Sequence, residues 1–198
     1  MKSPKVLYVG IAGFLACALS AQPRATAATG SAVPQGVQSN ATLAKGQAPL
    51  MKFKTLNHCA QETTYAVIFG AGDEVLAGLT RFAEDNHITA ARLTGIGAIQ
   101  SATLAWLDPQ RKTYRRISIE HQSEVLSLLG DVALYQGKPV VHAHMVVGFD
   151  DGRVRGGHLV QAHVWPTLEV IVTAYPRPLY KKFDSEKGIA VIDPLIQK

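Results

Sequence analysis

Seven of the 198 residues are histidines, and three of them are spaced to act together. In Val140-Val141-His142-Ala143-His144-Met145 two imidazoles stand two residues apart. Side chains alternate along a strand, so both would project from one face, with Cα atoms about 6–7 Å apart. The third is His158. Phe149-Asp150-Asp151-Gly152-Arg153 reads as a hairpin closed by a three-residue loop, with Gly152 in the left-handed position after a type I turn. That closure pairs 149 with 153 and therefore 144 with 158, and direct cross-strand partners share a face. A two-residue loop would instead pair 144 with 157, and a bulge at Gly156-Gly157 would also change the parity. Three imidazoles among Val140, Val141, Met145, Val146 and Val147 are costly unless their nitrogens find partners. A divalent metal satisfies all three, and three histidines plus water is an open zinc geometry with capacity for Lewis-acid chemistry or hydroxide generation. Three separately hydrogen-bonded core histidines are the alternative. His163 has the wrong parity to join them, and His58, His87 and His121 read as surface or capping residues. Glu169 and Glu124 are candidates for an outer carboxylate that steadies a ligand histidine, or for a base.

The elements that must position these residues follow from pattern. Thr64 to Phe69 is β-branched and aromatic, a strand. Gly70-Ala71-Gly72 breaks it, and Asp73 opens a helical pattern with Val75, Leu76, Leu79, Phe82 and Ala83 on one face, ended by Asn86-His87. Extended runs follow at 88–99, 101–107, 114–120, 125–135, 140–149, 154–164 and 167–174. One helix and seven or eight strands with short connections make an α+β domain built on a large, mostly antiparallel sheet. The Gly-Ala-Gly turn lacks a third glycine, because Val75 stands there, and no βαβ unit follows, so it is not a dinucleotide site. There is no GxSxG, Walker or HExxH motif, no CxxC and no disulfide framework.

Composition limits the partners. The chain is 47% hydrophobic and 18% charged, which is globular. Its net charge of +5 comes mainly from residues 1–50, which hold Lys2, Lys5, Arg24 and Lys45 and no acid. The other 16 basic and 15 acidic residues nearly cancel, which argues against nucleic acid as the domain's partner. Arg111, Lys112, Arg115 and Arg116, and again Lys181-Lys182, read as solvated hairpin tips. Residues 1–21 have the layout of a signal peptide: Lys2 and Lys5, an apolar run from Val6 to Leu15, then small-residue cleavage sites. An uncleaved anchor, or lipidation at Cys17 in Phe14-Leu15-Ala16-Cys17, would be the membrane-attached versions. The expected location is periplasmic or secreted. Residues 22–50, rich in Ala, Thr, Ser, Gln and Gly, read as a disordered linker, and 51–193 as the domain. Cys59 would then be an unpaired thiol, read as a small hydrophobe.

Several runs resemble one family. Leu93-Thr94-Gly95-Ile96-Gly97-Ala98, Glu124 to Gly130, Val141 to His144, Gly152 to Leu159 and Pro166 to Val170 are similar, in order and spacing, to the PPC domain of plants and prokaryotes. The likeness covers about residues 62–175. It implies a sheet of about seven mostly antiparallel strands with flanking helices, assembly as a homotrimer, and zinc held by the histidines matching His142, His144 and His158. The family is often labelled DNA-binding because plant members join the domain to AT-hooks, but no Arg-Gly-Arg-Pro core occurs here. The expectation is an exported, trimeric metal-binding domain that takes a small ligand. A metal-dependent hydrolase or lyase, a DNA-binding protein and a purely structural metal are the alternatives.

Overall fold

The computed structural model describes residues 48–197. The signal-peptide reading, Cys17 and most of the linker lie outside the described residues. Nine strands and one helix follow in order: β1 Lys52–His58, β2 Thr63–Phe69, α1 Val75–Asp85, β3 Ala90–Asp108, β4 Thr113–Ile119, β5 Ser123–Tyr135, β6 Lys138–Gly148, β7 Val154–Ala174, β8 Lys181–Asp184 and β9 Ile189–Ile192. Seven of them form one sheet in the order β1-β2-β7-β6-β5-β3-β4, every pair antiparallel. The strands β8 and β9 pair separately as a hairpin.

Two long strands organise the sheet. β3 and β7 run antiparallel from Ala91↔Ala174 to Ala105↔His158, with register shifts at Gly97/Ile99, Ile99/Ser101 and Thr103/Leu104. The β5–β6 hairpin bridges from the first half of β3 to the first half of β7, so the pairings β3–β5–β6–β7–β3 close a ring. Each long strand was expected as two. The bulges explain the reading: they break the apolar alternation that marks a strand while its ladder continues. β1 carries no alternation that marks it, because all seven of its residues are exposed.

Alternation decides which side chains enter the ring. Along β6, Val141, Ala143, Met145 and Val147 are buried, and along β7 so are Leu159, Ala162, Val164, Leu168 and Val170. With Leu93, Ile99, Leu104 and Leu128 they make the core, and α1 adds Leu76, Leu79 and Phe82 against β6 and β7. Ala48 is buried in the same core.

Flanking helices in the plural are not found: α1 is the one α-helix among the described residues, and the β8–β9 hairpin contacts β5. Its first residue also differs from expectation. Glu74, not Asp73, caps the helix: Leu76 N–H donates to Oε1 and Ala77 N–H to Oε2 at 3.1 and 2.6 Å, and Ala162 N–H of β7 donates to Oε1 at 3.0 Å. Asp73 instead accepts from Leu50 N–H and Gly70 N–H, both at 2.9 Å. Both carboxylates are buried, and backbone donors near a helix N-terminus are what make that tolerable.

Candidate metal centre

The β6–β7 hairpin sets the first part of the site. Phe149 N–H donates to Arg153 O at 2.9 Å, Gly152 N–H to Phe149 O at 3.0 Å, and Gly152 has φ of 80°. The loop is therefore the three-residue form, and the ladder runs from Gly148↔Val154 to His144↔His158 with no bulge at Gly156-Gly157. His142 and His144 lie on the outer face of β6, opposite the buried Val141, Ala143 and Met145. The three rings form a nearly equilateral triangle, with centroids 5.2, 5.2 and 5.5 Å apart.

One ligand atom from each imidazole lies within 4.8 Å of the other two, so the three could hold a metal ion. Tetrahedral zinc, with Zn–N of about 2.0–2.1 Å, needs nitrogens about 3.3 Å apart, a contraction that side-chain rotation supplies. His144 is exposed and the other two are part-buried, so the cluster is open to solvent at His144.

Asp131 completes the cluster. It is the cross-strand partner of His142 on β5, and its Oδ2 accepts from His142 Nδ1–H at 3.2 Å. A carboxylate can only accept, so this contact places the His142 proton on Nδ1 and leaves the Nε2 lone pair for a metal. The other oxygen, Oδ1, is buried and lies 3.5 Å from Lys181 Nζ, an ion-pair contact at the limit of hydrogen bonding. Burial alone would raise the Asp131 carboxyl, but the His142 hydrogen bond and the Lys181 charge outweigh it and hold it below the ordinary carboxylate range. Burial, and then the neighbouring charges of His142, His144 and Lys181, push His158 down to about 4. His144 is lowered for similar reasons, with Asp131 working the other way. Two of the rings are thus held neutral, the state a metal ligand requires. The Tyr114 ring stacks on His158 with centroids 5.3 Å apart.

A family model described as the Plants and Prokaryotes Conserved (PCC) domain matches residues 57–176. The chain belongs to this family. Among solved structures, a plant- and prokaryote-conserved protein from Pyrococcus horikoshii is 28% identical, with TM-score 0.63, 74% of this chain and 97% of that one covered. A Ralstonia eutropha protein provisionally described as DNA-binding is 33% identical, with TM-score 0.62 and coverages of 65% and 90%. A metal-containing protein from Archaeoglobus fulgidus is 28% identical, with TM-score 0.63 and coverages of 73% and 98%. No curated protein matches the chain.

In this PCC-domain protein the two glutamates singled out from sequence stand away from the histidines. Glu124 pairs with Gly148, four residues along β6 from His144, about 13 Å at about 3.3 Å per residue. Glu169 pairs with Ile68 and Ile96, and the path from it to His144 crosses β3 and β5. Asp131 is the carboxylate that touches a histidine, and it was not singled out. Its signal was present: Gln136 and Gly137 both have positive φ, 52° and 79°, and form a two-residue hairpin turn. That turn pairs Tyr135 with Lys138 and hence Asp131 with His142. Lys181, read as a solvated tip residue, has a side chain only 6% exposed. The remaining histidines lie elsewhere: His58 bonds Thr63 Oγ1, His87 follows α1 with φ of 54°, His121 packs on Phe149, and His163 pairs with Ser101.

Two glycines let the strands close around the site. A Cβ on Gly130 would stand 2.4 Å from His142 O, and one on Gly157 would stand 2.7 Å from Ala105 O. Side chains at either position would push apart strands that carry the cluster.

Proposed function

We propose that this is an exported, homotrimeric metal-binding protein in which His142, His144 and His158 hold one zinc ion whose fourth position takes a small ligand. The observation that carries the reading is the triangle of three mutually adjacent imidazoles, with Asp131 holding one in the metal-binding tautomer. The donor set fits the ion: three neutral nitrogens suit zinc, and an outer carboxylate on a ligand imidazole is its usual companion. Bound there, the ion would supply Lewis acidity to a fourth ligand open to solvent. The chain's own contribution is to fix three rings on a rigid sheet and, by burial, to disfavour protonation of His144 and His158. That the Archaeoglobus relative is a metal-containing protein agrees with this reading.

Self-association is supported by the surface around the histidines. Leu129, the cross-strand partner of His144, is 57% exposed, and Leu126 and Val146 beside it are 53% and 38% exposed. An apolar patch at the mouth of a polar site suits an interface between copies that would border each metal. Export rests on Lys2, Lys5 and the apolar run Val6 to Leu15. Nucleic-acid binding, the provisional description of the Ralstonia relative, is disfavoured by the near balance of charge after residue 50.

Elemental analysis of the untagged protein beside His158→Ala tests the site. Near-stoichiometric zinc in the first and none in the second is expected; a wild-type protein that takes up no metal under any loading condition refutes it. Sedimentation equilibrium tests the trimer, and a monomer at micromolar concentration refutes that part alone.

A further inference from the structure

Residues 176–193 lie almost wholly beyond the family match, yet they reach the histidine cluster. The segment is docked at both ends. Leu134 N–H at the end of β5 donates to Leu179 O at 2.8 Å, Leu179 N–H donates to Thr89 O at 3.3 Å, and Tyr180 bridges Leu134. At the far end Lys112 Nζ donates to Ser185 O at 3.0 Å, so the β8–β9 turn rests on the β3–β4 turn. Asp131 and Tyr114, whose side chains contact His142 and His158, lie close along the chain to these docking points.

Lys181 opens β8, and its side chain is only 6% exposed. A buried cation needs a counter-charge, and Asp131 is the acidic group at ion-pair distance among the described residues. The dependence is mutual. Asp131 spends Oδ2 on His142, and its Oδ1 is buried with no hydrogen bond, so the Lys181 ammonium is its compensation. Arg92 is the cross-strand neighbour of Asp131 on β3, but it is exposed.

We propose that Lys181 is a positioning residue of the metal centre: through Asp131 it fixes the His142 imidazole, so the C-terminal hairpin sets how tightly the ion is held. This rests on the metal reading above. Without the ammonium, a buried carboxylate oxygen is left with no compensating charge, and the group turns to find a partner. His142 then loses the acceptor that holds its proton on Nδ1 and its ring in place. Outer groups of this kind commonly change metal affinity by about 10- to 100-fold.

The test is a double-mutant cycle on the full chain, with cobalt(II) affinity measured against a chromophoric chelator and the visible cobalt spectrum recorded. Lys181→Met and Asp131→Asn are each expected to weaken binding about tenfold, in line with other outer partners of metal-bound histidines. Lys181→Met is expected to add nothing in the Asp131→Asn background, because its effect passes through that carboxylate. The cobalt bands should shift in both single variants. Melting curves of the metal-free variants establish that they fold, and Lys181→Gln carries the same comparison if the methionine variant does not. Wild-type affinity and spectrum in the Lys181 variant would overturn the inference and leave the metal site standing. So would losses that multiply in the double variant, which mark two independent effects. A wild-type protein that binds no cobalt or zinc overturns the metal reading and this inference together.

Discussion

Lowering the pH of the metal-free protein is expected to remove stability through His158. Burial holds this imidazole at about 4 in the folded chain against an ordinary value of 6.5. As pH falls below 6.5 the unfolded chain takes up a proton that the folded chain refuses. Stability is therefore full above about pH 7, declines through the window from 6.5 to 4, and levels off below it. At 1.36 kcal/mol per pH unit the gap is worth at most about 3 kcal/mol. His144, lowered in the same direction, adds to the loss. Urea unfolding midpoints in a chelator between pH 7.5 and 4.5 measure the effect. His158→Gln, which stays neutral throughout, should flatten the profile in the 6.5 to 4 window. An equal slope in wild type and variant would refute the reasoning, because burial of this imidazole would then carry no proton linkage.

Three further outcomes follow from the same geometry. Stripping the metal at pH 7.5 should lower stability by about 4 kcal/mol if the ion had been present at a thousandfold excess over its dissociation constant; calorimetry should show a fall in Tm on the order of 10 °C for a unit of this size, and no change would deny that the histidines hold an ion. Gly157→Ala should cost about 1–3 kcal/mol, since its Cβ would stand 2.7 Å from Ala105 O and must part β3 from β7 beside His158; chemical denaturation and metal titration should both register it, and a neutral result would refute the close-approach argument. Glu74→Gln should cost about 3 kcal/mol, because one of the three backbone donors would face an amide NH2 in a buried place, and a shift in urea midpoint of less than a few tenths molar would count against it.

How far the site can be read without coordinates depends on the range of the physics involved. His142 and His144 share a face because alternation is a property of three consecutive residues. His158 joins them because Gly152 supports a three-residue turn, and the register it starts carries unbroken over five pairs to the histidines. The Asp131–His142 pair was equally local, encoded by the Gln136-Gly137 turn. Glu124 and Glu169 have a side-chain type that suits the chemistry, but their register sets them away from the histidines. The antiparallel character follows from apolar alternation and short connections, but β1, β8 and β9 lie outside the runs that alternation marks. Those signals do not reveal that β3 and β7 are each one strand, because register shifts interrupt the pattern without ending the ladder.

The remainder required the tertiary structure. The closure of β3 onto β7 joins residues more than fifty positions apart, and no turn chemistry records that pairing. It is this contact that sets Ala105 and the β4 residue Tyr114 beside His158. Lys181 looked like a solvated lysine because nothing in Leu179-Tyr180-Lys181-Lys182 says which surface the hairpin will cover; its burial is decided by docking on Leu134, Thr89 and Lys112. Periodicity and turns thus determined which face carries the histidines. Packing between distant segments determined what surrounds them, because burial and ion pairing depend on where separate elements meet and not on any one element's own sequence.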